Sequence, residues 1–253
     1  MGPETGFGSL ESILSPKMAL TKKNSINVPL QISEGSSAHG EAGSSTMDLF
    51  YAPRSPFSRK ILTVIVELGL ESHIRLIQTD PWNDESLRRY NPACKVPTLL
   101  LDDGTALFDS PVFARYFDER AGHRLVPVGI RRWDAGRREA LGDALAEAVI
   151  RRFVERMGPD CDRIARVVAR QEAAVAAILD QLEAEPAWME APVDLGHLAI
   201  ACALAYLDGR SPELEWDRGR RLLAAWFYDF RARPSMTIAT TPEIGAFRTA
   251  VSR

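Results

Sequence analysis

Residues 47–69, MDLFYAPRSPFSRKILTVIVELG, contain the pattern that decides the fold. The apolar run Asp48–Tyr51 predicts a β-strand, and Ser55-Pro56 predicts the start of a helix, because serine caps helices and proline fits their first turn. Gly69 ends this helix. The apolar residues that share one face of it are Phe57, Ile61, Val64, Ile65 and Leu68. A strand followed at once by an amphipathic helix is typical of a sheet covered by helices.

The same alternation continues to about residue 122. The predicted elements are a strand at His73–Ile77, a polar connection with one helical turn, strands at Pro97–Leu101 and Thr105–Phe108 around the hairpin residues Asp102-Asp103-Gly104, and a helix from Ser110-Pro111 to Gly122. The order β-α-β-(α)-β-β-α predicts a small sheet with helices packed on it.

From Pro127 onward the apolar periodicity is helical. Glycine and proline divide it into predicted helices at about 131–157, 162–185, 194–207 and 217–231. The sequence therefore predicts a mixed α/β domain at 47–122, a linker at 123–130, an all-helical domain at 131–240 and a C-terminal tail at 241–253.

Residues 1–46 differ in kind from the rest of the chain. Glycine, serine and proline make up 18 of these 46 residues, and Phe7 is the only aromatic residue among them. Such a segment buries too little apolar surface to offset the entropy of ordering it, so we expect a disordered extension. It has no apolar core after a basic start, which argues against a signal peptide.

Composition excludes several classes of protein. Of 253 residues, 45% are hydrophobic, which is enough for a buried core. The 31 basic and 34 acidic residues give a net charge of −3, so the chain has no overall positive charge that would attract nucleic acid or an anionic membrane. No apolar stretch approaches the ~18 residues that span a bilayer. Three scattered cysteines argue against a disulfide scaffold and for a reducing, cytoplasmic location. No cluster of ligand residues predicts a metal site.

Three short motifs carry candidate chemistry. Ser55 is most simply a helix cap, but this helix start follows the first strand, where free N–H groups and the helix dipole favour an anion. A thiolate placed there would be stabilised relative to its thiol, and the Ser55 hydroxyl is suited to donate a hydrogen bond to it.

Lys95-Val96-Pro97 is the second motif. Proline is tolerated at the start of an ordinary strand. The functional alternative is a cis Val96–Pro97 bond, which would leave the Val96 backbone groups free to pair with an extended peptide ligand while Lys95 meets a carboxylate.

Asp109-Ser110, the third motif, is again a possible helix cap. The functional interpretation is a site for an amino-acid zwitterion, in which Asp109 binds the ammonium group and Ser110 the carboxylate.

The motifs together resemble a known family. Residues 50–60 (FYAPRSPFSRK), 91–98 (NPACKVPT) and 108–110 (FDS) are similar to the glutathione-binding half of cytosolic glutathione S-transferases. The helical half, in HLAIACALAYLD (197–208) and RPSM (233–236), looks like the bacterial, serine-containing branch of that family. The resemblance implies a thioredoxin-like domain followed by an all-helical bundle.

The resemblance also implies roles for these residues. Ser55 matches the residue that activates the glutathione thiol, Lys95, Val96 and Pro97 match the peptide clamp, and Asp109 and Ser110 match the γ-glutamyl site. It implies glutathione as a co-substrate with no cofactor, a small and largely apolar electrophile as its partner in detoxification, and a cytoplasmic homodimer. Reduction, isomerisation or dehalogenation on the same site, and a non-catalytic binding role, remain open alternatives.

Three positions depart from the family pattern. Cys94 stands where glycine is frequent, Pro111 removes one N–H from a helix start, and His197 replaces an aspartate, with Asp194 as the predicted cap of its helix. The side chains of Trp133, Tyr206 and Trp226 are expected to serve packing rather than substrate contact.

Overall fold

The computed structural model describes residues 46–159, 161–240 and 248–249. The predicted disordered extension at 1–46 lies outside this part of the chain except for Thr46, and most of the predicted tail at 241–253 lies outside it too. The described residues confirm the predicted fold class, a small α/β domain followed by an all-helical domain.

The sheet has five strands in the order β4-β3-β1-β2-β5. They are β1 Met47–Tyr51, β2 Ile74–Gln78, β3 Thr98–Leu100, β4 Ala106–Leu107 and β5 Arg248–Thr249. β1 pairs in parallel with β2 and antiparallel with β3, and β3 forms the predicted hairpin with β4. The two residues of β5, which the sequence did not predict, lie in the expected tail and pair in parallel with β2.

Seven α-helices are described. They are α1 Pro56–Leu68 and α2 Ser110–Arg120 beside the sheet, then α3 Arg131–Arg156, α4 Asp162–Ala184, α5 Leu195–Arg210, α6 Arg221–Phe230 and the short α7 Pro234–Ile238. All but α7 were predicted. Gly69, with φ +71°, ends α1 as expected, because glycine adopts this left-handed conformation without strain.

Some predicted boundaries were wrong. Helix α5 continues through Gly209 to Arg210 and ends only at Ser211, because the residue before Pro212 is disfavoured in a helix. Helix α6 begins at Arg221 rather than 217, since Gly219 adopts a left-handed conformation at φ +81°. His73 lies in a 3₁₀ turn before β2 rather than in the strand.

Helix α5 forms the centre of the helical domain, where most of its residues are buried. It packs so closely on α3 that a Cβ added to Gly142 would lie 2.6 Å from the carbonyl carbon of Ala199. Gly196 makes the corresponding approach from α5, 2.6 Å from the Cβ of Arg138. Glycine therefore sets the distance between the two helices.

None of the helices within the described ranges combines the length and the hydrophobicity that crossing a bilayer would require.

Candidate functional site

Strand register brings the three candidate motifs to one edge of the sheet. Phe50 near the end of β1 lies opposite Thr98 at the start of β3, and Leu107 at the end of β4 lies opposite Leu99. Ser55, Pro97 and Asp109 each lie within a few residues of these ends. The sheet therefore gathers residues that are far apart in sequence.

Ser55 caps α1, as predicted. Its Oγ accepts a hydrogen bond from the Ser58 N–H at 3.2 Å, and Pro56 occupies the first turn. A hydroxyl has one proton to donate besides its acceptor lone pairs, so capping leaves that proton available for a ligand. The cap and the thiolate-binding role are thus compatible.

Ser58, which the sequence analysis missed, braces the loop that holds Ser55. Its fully buried Oγ accepts from the Ala52 N–H at 3.2 Å. The Ser55 N–H also bonds the Ala52 carbonyl at 3.0 Å. In the sequence, the three-residue spacing from Ser55 to Ser58 predicts the capping bond but not the contact of Ser58 with Ala52.

The Val96–Pro97 peptide bond is cis, which confirms the conformation predicted for the clamp. Neither the N–H nor the C=O of Val96 has a hydrogen-bond partner within residues 46–240. The neighbouring Lys95 is exposed and makes no ion pair in that range. Backbone groups and a cation are therefore available to a peptide ligand.

Asn91 holds the clamp in place. Its side-chain N–H donates to the Lys95 carbonyl at 3.1 Å and to Thr98 Oγ1 at 3.0 Å, and Thr98 Oγ1 donates to the same carbonyl at 2.8 Å. Asn91 is almost fully buried. Asn91 is the first residue of the motif 91–98, but nothing in that pattern predicts this role.

Cys94 has φ +52°, a left-handed conformation that residues with a Cβ adopt rarely. This explains why glycine suits the position. The buried Cys94 thiol lies 3.5 Å from the Asp84 carbonyl and 3.7 Å from that of Pro81, so it packs away from the clamp.

Asp109 and Ser110 begin α2. The Asp109 side chain caps the helix by accepting from the Ser110 N–H, and the Phe108–Asp109 peptide is cis. Ser110 is fully buried, and its Oγ has no hydrogen-bond partner among the described residues. A buried hydroxyl without a partner costs about 1–3 kcal/mol, which a ligand acceptor that reached it would recover.

A cavity of about 140 Å³ lies between the start of α1 and the second half of α5. Its lining side chains include Ser55, Arg54, Arg59, Tyr206 and Arg210. The clamp and Asp109-Ser110 do not line it. Tyr206 is half-buried and packs against the core of the helical domain, as expected. It also lines this cavity, because the last two turns of α5 face Ser55.

Trp226 and Trp133, the other two residues expected to serve packing, differ in burial. Trp226 packs against Trp188 with ring centroids 4.7 Å apart, as predicted. Trp133, near the start of α3, is 64% exposed, so its predicted packing role was wrong.

A cluster of charged side chains connects α1 and α2, the helices that carry the candidate site residues, to α3. Lys60, which is 2% exposed, lies 2.7 Å from Asp143 and 3.5 Å from Glu139, and Arg115 of α2 lies 2.8 Å from Glu139. Burial raises the pKa of the Asp143 carboxyl, and Lys60 opposes that rise. The negative charge of Asp109 also raises the pKa of the Asp143 carboxyl.

No group of three or more His, Cys, Asp or Glu side chains is placed to hold a metal ion in the described part of the chain.

Comparisons with known proteins agree with this architecture. Residues 54–120 match the profile of the glutathione S-transferase N-terminal domain, and residues 162–227 match that of the C-terminal domain. The uncharacterized GST-like protein YibF of Escherichia coli K12 is 28% identical over 203 residues, which are 78% of this chain and all of YibF.

Solved structures are similar over most of the chain. A glutathione transferase family member from Pseudomonas fluorescens Pf-5, solved with bound glutathione, is 32% identical, with a TM-score of 0.73 over 81% of this chain and all of that one. A second structure from that organism, with bound S-(propanoic acid)-glutathione, is also 32% identical, with a TM-score of 0.68 over 76% of this chain and 98% of that one.

Both domains match in the family's order, and a solved glutathione transferase is similar along its whole length. The chain therefore belongs to the glutathione S-transferase family.

Proposed function

We propose that this protein is a glutathione S-transferase that binds glutathione and uses its thiolate to attack a small electrophile. The observation that carries the proposal is the position of Ser55, whose hydroxyl caps α1 at the wall of a cavity and keeps a proton to donate. The positive end of α1 adds to the stabilisation of a thiolate there.

Glutathione would lie along the start of β3. In this arrangement its peptide backbone pairs with the free N–H and C=O of Val96 beside Pro97, and Lys95 meets a carboxylate. Its γ-glutamyl group reaches Asp109, which accepts from the ammonium group, and Ser110, whose hydroxyl lacks a partner. The Pseudomonas relative, solved once with glutathione and once with S-(propanoic acid)-glutathione, supports this proposal.

Catalysis then needs little beyond proximity and a lowered thiol pKa. Ser55 donates to the thiolate, and the cavity beside it holds the electrophile next to the sulfur. The new C–S bond forms from a sulfur lone pair, while a leaving group departs with the electrons of its bond or the π electrons of the electrophile move to the neighbouring atom, which then takes a proton from water. This step uses no cofactor.

We also propose that the protein works as a cytoplasmic homodimer in detoxification. Exposed apolar side chains at Val112 on α2 and at Ile130 and Trp133 around the start of α3 support self-association, because such groups favour burial in an interface. Light scattering on the purified full chain tests the dimer, and a monomeric mass at micromolar concentration would contradict it.

Retention on immobilised glutathione, followed by turnover with a panel of electrophiles, tests the enzyme assignment. We expect retention and thioether formation with at least one electrophile. A protein that neither binds glutathione nor accelerates thioether formation over the uncatalysed rate would overturn the proposal.

A further inference from the structure

Three guanidinium groups line the cavity beside Ser55 without a carboxylate partner. Arg54, Arg59 and Arg210 all face it, and none of them makes an ion pair with an acidic side chain within the described ranges. Arg59 donates one hydrogen bond, to Thr240 Oγ1, while its Nε is buried without a partner. Arg210 stacks over the Phe153 ring at 4.9 Å.

Of these three arginines, Arg54 is exposed, whereas Arg59 and Arg210 are half-buried. The other half-buried and buried arginines of the described chain are paired. Arg152 lies 2.8 Å from Glu172, Arg220 lies 2.7 Å from Asp180, and Arg138 contacts Asp194. No acidic residue lines the cavity itself. The positive charge of Arg54 acts on the nearby carboxylate of Asp80, but the two side chains form no ion pair. The cavity is therefore a local concentration of positive charge in a chain whose net charge is −3.

The phenol of Tyr206, which also lines the cavity, is a donor as well. Burial raises the pKa of the Tyr206 phenol, so its hydroxyl stays protonated at neutral pH. Arg210 lies near the Tyr206 ring, with its guanidinium carbon 5.7 Å from the centroid. A phenol and several guanidinium groups suit a carboxylate, whose two oxygens accept several hydrogen bonds.

The cavity is small and open to solvent. Its volume of about 140 Å³ is well below the roughly 300–1,000 Å³ typical of pockets for drug-sized ligands, and a short chain carrying one carboxylate fits it.

We propose that the electrophile is a short carboxylic acid, such as an α-halo or α,β-unsaturated carboxylate, and that Arg54 and Arg210 bind its carboxylate beside the glutathione sulfur. This inference rests on the proposed function and replaces the largely apolar electrophile that the family resemblance implies with an anionic one. The arginines act on substrate binding and orientation rather than on the thiol.

The chemistry balances without an oxidant or reductant. With an α-halo acid, a sulfur lone pair forms the C–S bond and the halide leaves with the electrons of the broken carbon–halogen bond. With an unsaturated acid, sulfur bonds to the β-carbon, the π electrons move to the α-carbon, and that carbon takes a proton from water.

A matched pair of product analogues tests the proposal by isothermal titration calorimetry. S-(2-carboxyethyl)glutathione and S-(2-carbamoylethyl)glutathione have the same shape, but only the first has a charged S-substituent. We expect the full chain to bind the carboxylate about tenfold more tightly than the amide, as charged hydrogen bonds allow. R54Q and R210Q should reduce this ratio towards one, and R210K should retain most of it.

The control is R166Q, which removes an exposed arginine of α4 that makes no ion pair among the described residues and should keep the wild-type ratio. Equal affinity of the wild type for the two thioethers would overturn the inference. An unchanged ratio in folded R54Q and R210Q, including an equal loss of affinity for both thioethers and glutathione, would also overturn it. Failure of the wild type to bind glutathione and both thioethers would overturn the proposed function itself.

Discussion

Asp194 and His197 cap helix α5 reciprocally. The Asp194 carboxylate accepts from the His197 N–H at 3.2 Å, and His197 Nδ1 accepts from the Asp194 N–H at 3.2 Å. The same Nδ1 lies 2.8 Å from Asp194 Oδ1, and Nε2 lies 2.8 Å from the Trp188 carbonyl. Histidine thus fills the third helical position of a capping box.

This cap predicts a pH dependence of stability. Burial raises the pKa of the Asp194 carboxyl, but the hydrogen bond from the His197 backbone and the charge of Arg138 help to hold this pKa below the ordinary 3.8. The unfolded chain therefore takes up a proton first. This contribution to stability is fully present about one pH unit or more above the ordinary 3.8 and is lost as the pH falls through that value and below it. Urea unfolding measures the difference in unfolding free energy between wild type and Asp194→Asn. We expect this difference to be smaller at pH 3.5 than at pH 7. An equal difference at both pH values would contradict the predicted pH dependence.

The sequence predicted the capping pair because its signal is local. Asp194 and His197 are three residues apart before an apolar helix, and Ser55-Pro56 marks the start of α1 in the same way. The charge cluster around Lys60 was not predicted, because its partner Asp143 lies 83 residues away and only the packing of α1 on α3 brings them together.

Helix packing also decided which site residues the sequence could reveal. Ser55, Pro97 and Asp109 belong to recognisable motifs. Tyr206 and Arg210 lie on α5, where helical periodicity shows which side chains face the core but not which cavity they line.

Replacing Lys60 with methionine should destabilise the protein strongly. The substitution leaves the buried carboxyl groups of Glu139 and Asp143 without their shared cation, and breaking a buried ion pair costs about 3–5 kcal/mol. Chemical unfolding measures the loss. Arg115→Met, which removes a half-exposed partner of Glu139, should cost less. Equal losses of unfolding free energy in the two variants would contradict the claim that the burial of Lys60 makes its ion pairs more important than that of Arg115.

Gly142→Ala should also destabilise the protein. The added methyl group would lie 2.6–2.8 Å from atoms of Ala199 and Ile200, so α3 and α5 must move apart, at about 1–3 kcal/mol. Gly136→Ala is the matched control on α3, because its added Cβ meets nothing within 4 Å. That control should stabilise the protein by about 0.5–1 kcal/mol. The prediction fails if the two melting temperatures shift in the same direction.

Asn91→Ala should weaken glutathione binding without changing the bound thiol. Loss of the hydrogen bonds to the Lys95 carbonyl and Thr98 frees the clamp, and we expect about tenfold lower affinity by calorimetry. The thiol pKa of the bound glutathione should remain at its wild-type value, because Ser55 is untouched. Wild-type affinity in a folded variant would show that Asn91 does not position the clamp.

The central claim is that Ser55 stabilises the glutathione thiolate, and ultraviolet titration of thiolate absorbance in the complex tests it most directly. Wild-type protein should lower the pKa of bound glutathione below that of the free thiol. Ser55→Ala should raise it again, by the equivalent of about 1.5–3 kcal/mol for a hydrogen bond to a charged group. Identical titration curves for the two proteins, each saturated with glutathione, would contradict the assignment of Ser55.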